Sequence, residues 1–419
     1  MQSYIETFKY DLIFIFLLSL IPAALITGPL IPDLLVSLSS LIFIIFIISR
    51  KELHLFNNKY FYFYSLWIIY LLARSFFSEN MLLSLEASFF YFRFIIFSIL
   101  IFYLLNKYYQ FKYILFFSII ITITFIVLVS YHQFFFGSNI FSHWSGVYMV
   151  TTYNFHARLS GPMFEPILGG FLIRFLPVVI SLYFICDFKK TFIYIMMIFL
   201  IFLSSILIIL TGERNSILLL FIVIIFILLN KYLNFYYRIV LIILAPLIGL
   251  LSYLLLPSLK FRVQQTIFQF NFFNENIFVE NVYFKYFHNA FLIFKENIFF
   301  GVGPKLFRDS CAKYLHLIPD SCSTSPHNTY IQLLAEIGII GTIPLLLFAL
   351  YIIGNLLKMV FLHTNLDTKF YNAKYFILMA ILLNIIPFSV AGNFFNNYMS
   401  IIYYFPIGIF LFIIKNKKL

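Results

Sequence analysis

Charged residues are scarce in this chain. Only 11% of its 419 residues are charged, whereas 63% are hydrophobic. A soluble domain of ordinary size does not contain so much apolar surface, so the composition argues against a soluble globular protein. The net charge of +12 does not indicate nucleic-acid binding, because the basic residues stand singly between apolar runs and form no patch.

Other absences narrow the function further. The chain has no His-Glu-x-x-His motif and no Cys or His at metal-ligand spacing from His327, so we predict no zinc site and no cofactor. No phosphate-binding loop follows Gly301-Val302-Gly303-Pro304, which predicts a loop corner there.

Because no linker, repeat or low-complexity tract divides the chain, residues 1–419 are expected to form one integral membrane domain. The first apolar run begins near Asp11 without a small-residue cleavage site after it, and we expect a retained span.

The chain contains many long apolar runs. Runs of about 20 residues recur along its whole length, and each is long enough to cross a bilayer as a helix. They predict an all-α polytopic membrane protein of about twelve transmembrane helices. The predicted spans are 11–27, 30–49, 60–73, 86–105, 113–131, 166–185, 191–211, 214–229, 238–256, 328–352, 375–391 and 398–414.

Lysines and arginines in the short loops predict the orientation. Most of them fall in one set of loops, at Arg50, Lys51, Lys59, Lys107, Lys112, Lys189, Lys190, Lys231, Arg238, Lys358, Lys369 and Lys374. Lys9 and the lysines at positions 415, 417 and 418 lie on the same side. Both termini are therefore expected in the cytoplasm, and the loops 132–165 and 257–325 are expected to face outward.

The large outward-facing loop between the ninth and tenth predicted spans, residues 257–325, exceeds the common length of a connection. Its stretch from Tyr283 to Phe300 is aromatic and amphipathic, which is typical of a helix on the membrane surface or of one packed over the bundle. Either arrangement would cap the outer end. Cys311 and Cys322 lie in this loop, where an oxidising compartment permits a disulfide; two unpaired thiols are the alternative.

Arginines near the predicted outer face are candidates for binding an anion. Arg214 begins an apolar run after Gly212 and Glu213. Its guanidinium fork matches phosphate oxygens, and the alternative is an anchor at the membrane interface. Arg158 precedes a turn before the sixth span and is a second candidate. Arg74 and Arg308 are further outer-face candidates for binding a diphosphate or a glycan.

Glu165 and the arginines inside predicted spans have competing explanations. Glu165 lies at the start of the sixth span, where a carboxylate favours the helix dipole or takes part in a reaction. Arg93 and Arg174 lie within spans, where a charge is costly and normally faces the bundle interior and is paired. They could support a site or only the fold, and we expect both arginines to be structural.

The pair His327-Asn328 stands where a polar loop meets an apolar run. Free imidazole titrates at about pH 6.5, so a histidine can accept a proton from a hydroxyl. A histidine at a membrane interface is by itself more often structural. The neighbouring Asn328 and the outer arginines favour a functional assignment for His327.

The motifs resemble a known family. The run His327-Asn328, nine residues, Gly338, two residues and Gly341-Thr342 resembles the signature of the O-antigen ligase and polymerase superfamily. The Gly-Val-Gly-Pro turn at 301–304, Thr211 to Arg214 and the segment 158–166 resemble further motifs of that family. The resemblance covers roughly residues 158–345.

The resemblance implies a metal-independent, inverting glycosyltransferase of a bacterial inner membrane that works on the periplasmic side. Its donor would be a glycan on undecaprenyl diphosphate, and its acceptor lipid A-core in a ligase or another lipid-linked repeat unit in a polymerase. His327 matches the family's essential histidine and Arg214 its essential arginine. Membrane lipids are implied partners, and nucleic acid is not.

The chain departs from the family at one position. Many members carry an arginine in the helix before the Gly-Val-Gly turn, but this chain has no arginine between Arg262 and Arg308. Lys285 and His288 are the basic residues available for that role.

A transporter of lipid-linked saccharides is a second functional class, which predicts inverted repeats and broken helices at the midplane.

Overall fold

The computed structural model describes residues 2–57, 59–137, 159–163, 165–233, 281–362, 367–387 and 392–416, with short pieces between 236 and 267. Within these residues the secondary structure is helical and contains no β-strand. The structure therefore confirms the predicted all-α fold class.

Most of the helices follow one another with short connections, and two longer segments separate Phe136 from Leu168 and Leu229 from Val282. In chain order they are α1 (Gln2–Ala24), α2 (Leu30–Arg50), α3 (Lys59–Phe76), α4 (Met81–Phe89), α5 (Arg93–Lys107), α6 (Phe111–Phe136), α7 (Leu168–Cys186), α8 (Thr191–Leu210), α9 (Arg214–Leu229), α10 (Val282–Glu296), α11 (Phe307–Ser310), α12 (Thr329–Phe361), α13 (Thr368–Ile385) and α14 (Asn397–Lys415). Three 3₁₀ turns, Leu25–Thr27, Leu53–Phe56 and Cys311–Tyr314, complete the described secondary structure.

Eight helical segments of the described residues are long and apolar enough to cross a membrane. They are Tyr10–Thr27, Leu30–Arg50, Met81–Lys107, Phe111–Phe136, Leu168–Cys186, Thr191–Leu210, Thr329–Phe361 and Asn397–Lys415. Helices α3 and α9 lie at two further predicted spans, and α13 overlaps the predicted span 375–391 but begins and ends earlier. The predicted span 238–256 falls largely outside the described residues, so the count of twelve stays a prediction.

The predicted span 86–105 is two helices rather than one. Helix α4 ends at Phe89 and α5 begins at Arg93. Arg93 Nη2 donates to Asp33 Oδ1 of α2 over 2.6 Å, so the expected pairing of this arginine is confirmed. The ion pair holds the start of α5 against the start of α2.

A glycine lets two helices of the bundle core approach closely. Helix α7 packs against α13, and α5 packs against α14. A Cβ atom added at Gly408 of α14 would lie 2.6 Å from the carbonyl oxygen of Ser98 in α5, so the glycine lets the two backbones approach. Ser98 Oγ donates to Tyr404 O over 2.7 Å across this contact. Such close contact is how helices associate where lipid removes the hydrophobic driving force.

Helix α12 is interrupted, although the sequence predicts a continuous span over 328–352. Gly338 has φ 63° and ψ −171°, which is not helical. The segment 298–303 lies against this interruption: Val302 N donates to Ala335 O and Gly303 N to Glu336 O, while Ile339 N donates to Ile298 O. The backbone groups freed by the break therefore have partners, as they must at membrane depth.

Side chains from two helices hold the interruption in place. Tyr70 OH donates to Ile337 O over 2.6 Å and Trp67 Nε1 to Gly341 O over 2.8 Å. The carboxylate of Glu336, which is buried, accepts from the backbone N–H groups of Lys305 and Phe307, each over 3.0 Å. The turn at 301–304 is thus a loop corner, as predicted, and it is fixed to α12 from both sides.

Replacing Gly301 by alanine should destabilise the fold strongly. Gly301 has φ 67°, and an added Cβ atom would lie 2.3 Å from the backbone carbon of Glu336. Left-handed strain and overlap with backbone together should lower the free energy of unfolding by about 3 kcal/mol or more. Gly354→Ala in α12 is the matched control, because an added Cβ there meets nothing within 4 Å. Denaturant titration in detergent micelles measures the free energy of unfolding of both variants. Equal values would contradict the requirement for glycine where the 301–304 turn contacts α12.

Candidate active site

A cavity of about 1160 Å³ opens at the end of the bundle where α2, α7, α9, α12 and α14 begin. In the orientation predicted from the basic residues, this is the outer end. Four predicted site residues line the cavity, namely Glu165, Arg214, His327 and Asn328. The cavity therefore brings together residues that lie far apart in the sequence.

Six of the described helices begin at this cavity. Their N-cap residues all line it: Pro29 of α2, Ile167 of α7, Glu213 of α9, Asn281 of α10, Asn328 of α12 and Asn396 of α14. Each helix N-terminus carries a partial positive charge of about +0.5, although side chains cap some of the first N–H groups. Their convergence makes the cavity attractive to an anion before any charged side chain is counted.

Arg214 is the first residue of α9. Gly212 before it has φ 64°, the left-handed conformation that a sharp turn between α8 and α9 requires. This hairpin places Arg214 and the N-terminus of α9 at the cavity. The turn thus adds a full positive charge to a helix end that already favours anions.

Glu213 joins α9 to α7. Its Oε1 accepts from Gly169 N over 2.8 Å and its Oε2 from Gly170 N over 3.0 Å. Ser216 Oγ donates to the same Oε2 over 2.6 Å. The carboxylate therefore caps the N-terminus of a helix other than its own, and its charge favours that position.

His327 lies between the cavity and α10. Its ring centroid is 5.9 Å from that of Tyr283 and 5.6 Å from that of Tyr286. Ser323 Oγ is 3.5 Å from Nε2. The backbone of His327 has φ 57°, a left-handed conformation that is uncommon outside glycine and that clusters at functional sites. The aromatic rings and the backbone fix the direction of the imidazole.

Asn328 has a structural function that the sequence analysis did not identify. Its Oδ1 accepts from Tyr330 N and Ile331 N, which caps α12, and its Nδ2 donates to Pro387 O over 2.7 Å. These bonds occupy both ends of the amide. An N-cap residue was recognisable in the sequence, since Asn before an apolar helical run is a common helix start.

The other predicted site residues lie in different places. Glu165 lines the cavity and is exposed, whereas Arg158 lies outside the described residues. Arg74 Nη2 donates to Gly301 O over 2.6 Å and its Nη1 to Phe77 O over 2.8 Å. Burial lowers the pKa of the Arg74 guanidinium, because the charged form loses hydration there. Arg74 clamps the 301–304 turn and does not line the cavity.

Arg308, Lys285 and His288 also lie away from the cavity lining. Arg308 belongs to α11, and its buried Nε has no hydrogen-bond partner among the described residues. Lys285 Nζ is 3.8 Å from Asp320 Oδ2. That Lys285 or His288 replaces the arginine that the family carries before the Gly-Val-Gly turn stays a prediction.

The cap over the cavity contains a small core of its own. Helix α10 packs against α12 rather than lying free, which agrees with the second of the two predicted arrangements. A cluster of buried side chains joins them: Ala290, Ile293, Phe307, Cys311, Tyr314 and Ala335. Cys311 and Cys322 form a disulfide, with Cα atoms 5.2 Å apart. Asn289 Nδ2 donates to Cys311 O over 3.0 Å and thus fixes the disulfide loop to α10.

Arg174, for which we expected a structural role rather than a role in a site, is a cavity residue. It lies in α7 and lines the same cavity as Arg214. The signal was present in the sequence, because a charge inside an apolar span marks a functional candidate. Within the described residues, no group of three His, Cys, Asp or Glu side chains has an arrangement that could hold a metal ion.

Glu213→Gln should lower the stability of the protein. Glutamine keeps the shape but loses the charge that strengthens the two bonds to the N-terminus of α7, so the free energy of unfolding should fall by about 1–3 kcal/mol. Glu165→Gln is the matched control, since Glu165 lines the same cavity and its exposed side chain should change stability by less than about 0.5 kcal/mol. Denaturant titration of both variants tests this. Equal losses would show that Glu213 is not a cap.

Comparison with known families agrees with the motifs. Residues 199–346 match the family model described as O-antigen ligase. The matched segment contains Arg214, His327 and both partners of the α12 interruption, Gly301 and Gly338. No curated protein matches the chain. The family match confirms the predicted relationship of this chain to the O-antigen ligase and polymerase superfamily, and it indicates an enzyme of O-antigen ligase type.

Proposed function

We propose that this protein transfers a glycan from undecaprenyl diphosphate to a hydroxyl of lipid A-core, at the periplasmic side of a bacterial inner membrane. The observation that carries the proposal is the cavity of about 1160 Å³ lined by both Arg214 and His327. A volume above that of ordinary small-molecule sites, about 300–1000 Å³, is what a donor and an acceptor bound together would need.

Arg214 is proposed to bind the diphosphate. Its guanidinium can donate two parallel hydrogen bonds to phosphate oxygens. The N-termini of α9 and of the other helices at the cavity favour the same anion. When the bond between the anomeric carbon and the diphosphate oxygen breaks, negative charge develops on that oxygen. A fixed guanidinium stabilises this charge more than the charge of the bound donor, which lowers the barrier.

His327 is proposed to accept the proton of the acceptor hydroxyl. The hydroxyl oxygen forms a bond to the anomeric carbon on the face opposite the diphosphate, so the configuration inverts. The proton moves to a ring nitrogen of His327 as that bond forms. The contacts with Tyr283 and Tyr286 hold the imidazole, so it needs no reorientation during the reaction.

The remaining cavity wall suits a lipid-linked donor. Apolar side chains contribute much of the lining, among them Leu25, Ile26, Phe171, Leu218 and Ile402. A polyprenyl chain could enter along these side chains from the bilayer while its diphosphate reaches the polar end. Arg158 and Glu165 are proposed to contact the glycan, and both termini are proposed to lie in the cytoplasm. No metal ion is required in this mechanism, because Arg214 supplies the positive charge.

Substitution of the two central residues should abolish most of the transfer. His327→Asn removes the proton acceptor while asparagine tolerates the left-handed backbone, and the rate should fall about 10²- to 10⁴-fold. Arg214→Ala should cost about 10²- to 10³-fold. The assay is glycan transfer from the lipid-linked donor in proteoliposomes.

His316→Ala is the control for this experiment, because His316 is exposed and does not line the cavity. It should leave transfer unchanged. Survival of activity in both His327→Asn and Arg214→Ala would contradict the proposed mechanism. Movement of the lipid-linked glycan across vesicles without formation of a glycosidic bond would favour a transporter instead.

Loss of the protein should identify the acceptor. If the acceptor is lipid A-core, a deletion strain should accumulate long glycan chains on the lipid carrier and lack them on its surface. If the protein joins lipid-linked repeat units, as a polymerase does, the surface glycan should carry a single repeat. Gel analysis of the lipopolysaccharide, with the lipid-linked fraction analysed in parallel, distinguishes the two acceptors.

A further inference from the structure

Arg174 is a buried charge in an unusual position. It lies six residues into α7, which is about 9 Å along the helix axis, and only 7% of its surface is exposed. Charges at such positions are normally paired with an opposite charge or lie next to water. Arg174 therefore requires a partner that explains its burial.

The described residues do not supply that partner. Arg174 Nη1 donates to Gly170 O over 2.9 Å, and its Nε has no hydrogen-bond partner among these residues. No carboxylate among them forms a salt bridge with Arg174. Most donors of the guanidinium are thus uncommitted within the described structure.

The nearest acidic group is already engaged. A Cβ atom at Gly170 would lie 3.1 Å from Arg174 Nη1 and 3.6 Å from Glu213 Oε2, so the two charged groups flank the same glycine. The Glu213 carboxylate, however, accepts hydrogen bonds from the backbone of α7 and from Ser216. Its charge is therefore already used by the N-terminus of α7, and it does not form a salt bridge with Arg174.

The cavity that Arg174 lines has room for a bound partner of this arginine. Arg174, Arg214 and Tyr398 all line it. The Tyr398 hydroxyl is also buried and without a hydrogen-bond partner among the described residues. A guanidinium Nε and a hydroxyl are hydrogen-bond donors, and both belong to side chains more than nine-tenths buried. This combination suits an anion and not a cation.

We infer that Arg174 is a second diphosphate-binding residue that binds one phosphate of the lipid donor while Arg214 binds the other. The inference rests on the proposed function. The diphosphate of the donor has two phosphate groups, so each guanidinium group can bind one of them. A lipid monophosphate has a single phosphate group and engages only one of the two guanidinium groups. The pair therefore distinguishes a diphosphate from a monophosphate.

The test compares two lipids and several variants. Binding of undecaprenyl diphosphate and of undecaprenyl phosphate is measured with the full-length protein in nanodiscs. Wild type should bind the diphosphate more tightly. Arg174→Gln should weaken diphosphate binding about tenfold to hundredfold and leave monophosphate binding nearly unchanged. Arg174→Lys keeps the charge without the planar fork and should lose less of the preference.

Thermal unfolding of the lipid-free protein separates binding from structure. Removing an unpaired buried charge should leave the unfolding temperature of Arg174→Gln unchanged or raise it, whereas a structural arginine would lower it. Arg93→Gln is the matched control, because Arg93 is paired with Asp33 and does not line the cavity. It should lower the unfolding temperature and leave the lipid preference intact.

Two results would overturn the inference. The first is wild-type preference for the diphosphate in Arg174→Gln, with a lower unfolding temperature then showing a purely structural arginine; where that variant does not fold, it is a preference in Arg174→Lys that is unchanged from wild type. The second is equal binding of both lipids by the wild-type protein, which would contradict the proposed donor as well. Transfer that survives in the Arg214 and His327 variants contradicts only the proposed function.

Discussion

The structure depends on how helix ends are bonded inside an apolar bundle. The first N–H groups of a helix have no partner within it, and lipid offers none. Asn281, Asn328 and Asn396 solve this for their own helices by accepting from the N–H group two residues on. Glu213 solves it for α7 from outside. Because these caps all face one cavity, the bonds that permit the fold also concentrate helix N-termini, and hence positive potential, at a single place.

The interruption of α12 follows the same constraint. Gly338 leaves backbone groups unbonded in the middle of an apolar helix, and the segment 298–303 bonds them. Gly301 and Gly338 are both needed because a Cβ atom on either would overlap the other backbone. The motif that runs from His327 to Gly341 therefore combines two functions. Its glycines build the junction between cap and bundle, and its histidine faces the cavity that the junction supports.

The sequence predicts the part of this structure that follows from composition and from the length and spacing of apolar runs. Runs of apolar residues gave the helices, and the resemblance selected His327 and Arg214, which line the same cavity. The direction in which each of these side chains points could not be predicted from the sequence. Depth in a span can be counted along the chain, but whether Arg174 faces the cavity and Arg74 faces a turn depends on how α7 and α3 are rotated against their neighbours. Glu213 capping a second helix is likewise a contact across the bundle that spacing does not reveal.

The proposed chemistry depends on the burial of Arg174 without a salt bridge among the described residues. Arg174, Arg214 and the N-termini of six helices lie at the cavity, together with Glu165 and with Glu213, whose carboxylate accepts from backbone N–H groups. Paired with a local carboxylate, Arg174 would stabilise the empty protein more but attract a diphosphate less. The anion of the donor completes the pairing, so the same groups that bind the donor meet the additional charge of the leaving group when the glycosidic bond to the diphosphate breaks. Substrate binding and leaving-group stabilisation are thus, in this mechanism, one electrostatic interaction at two stages of the reaction.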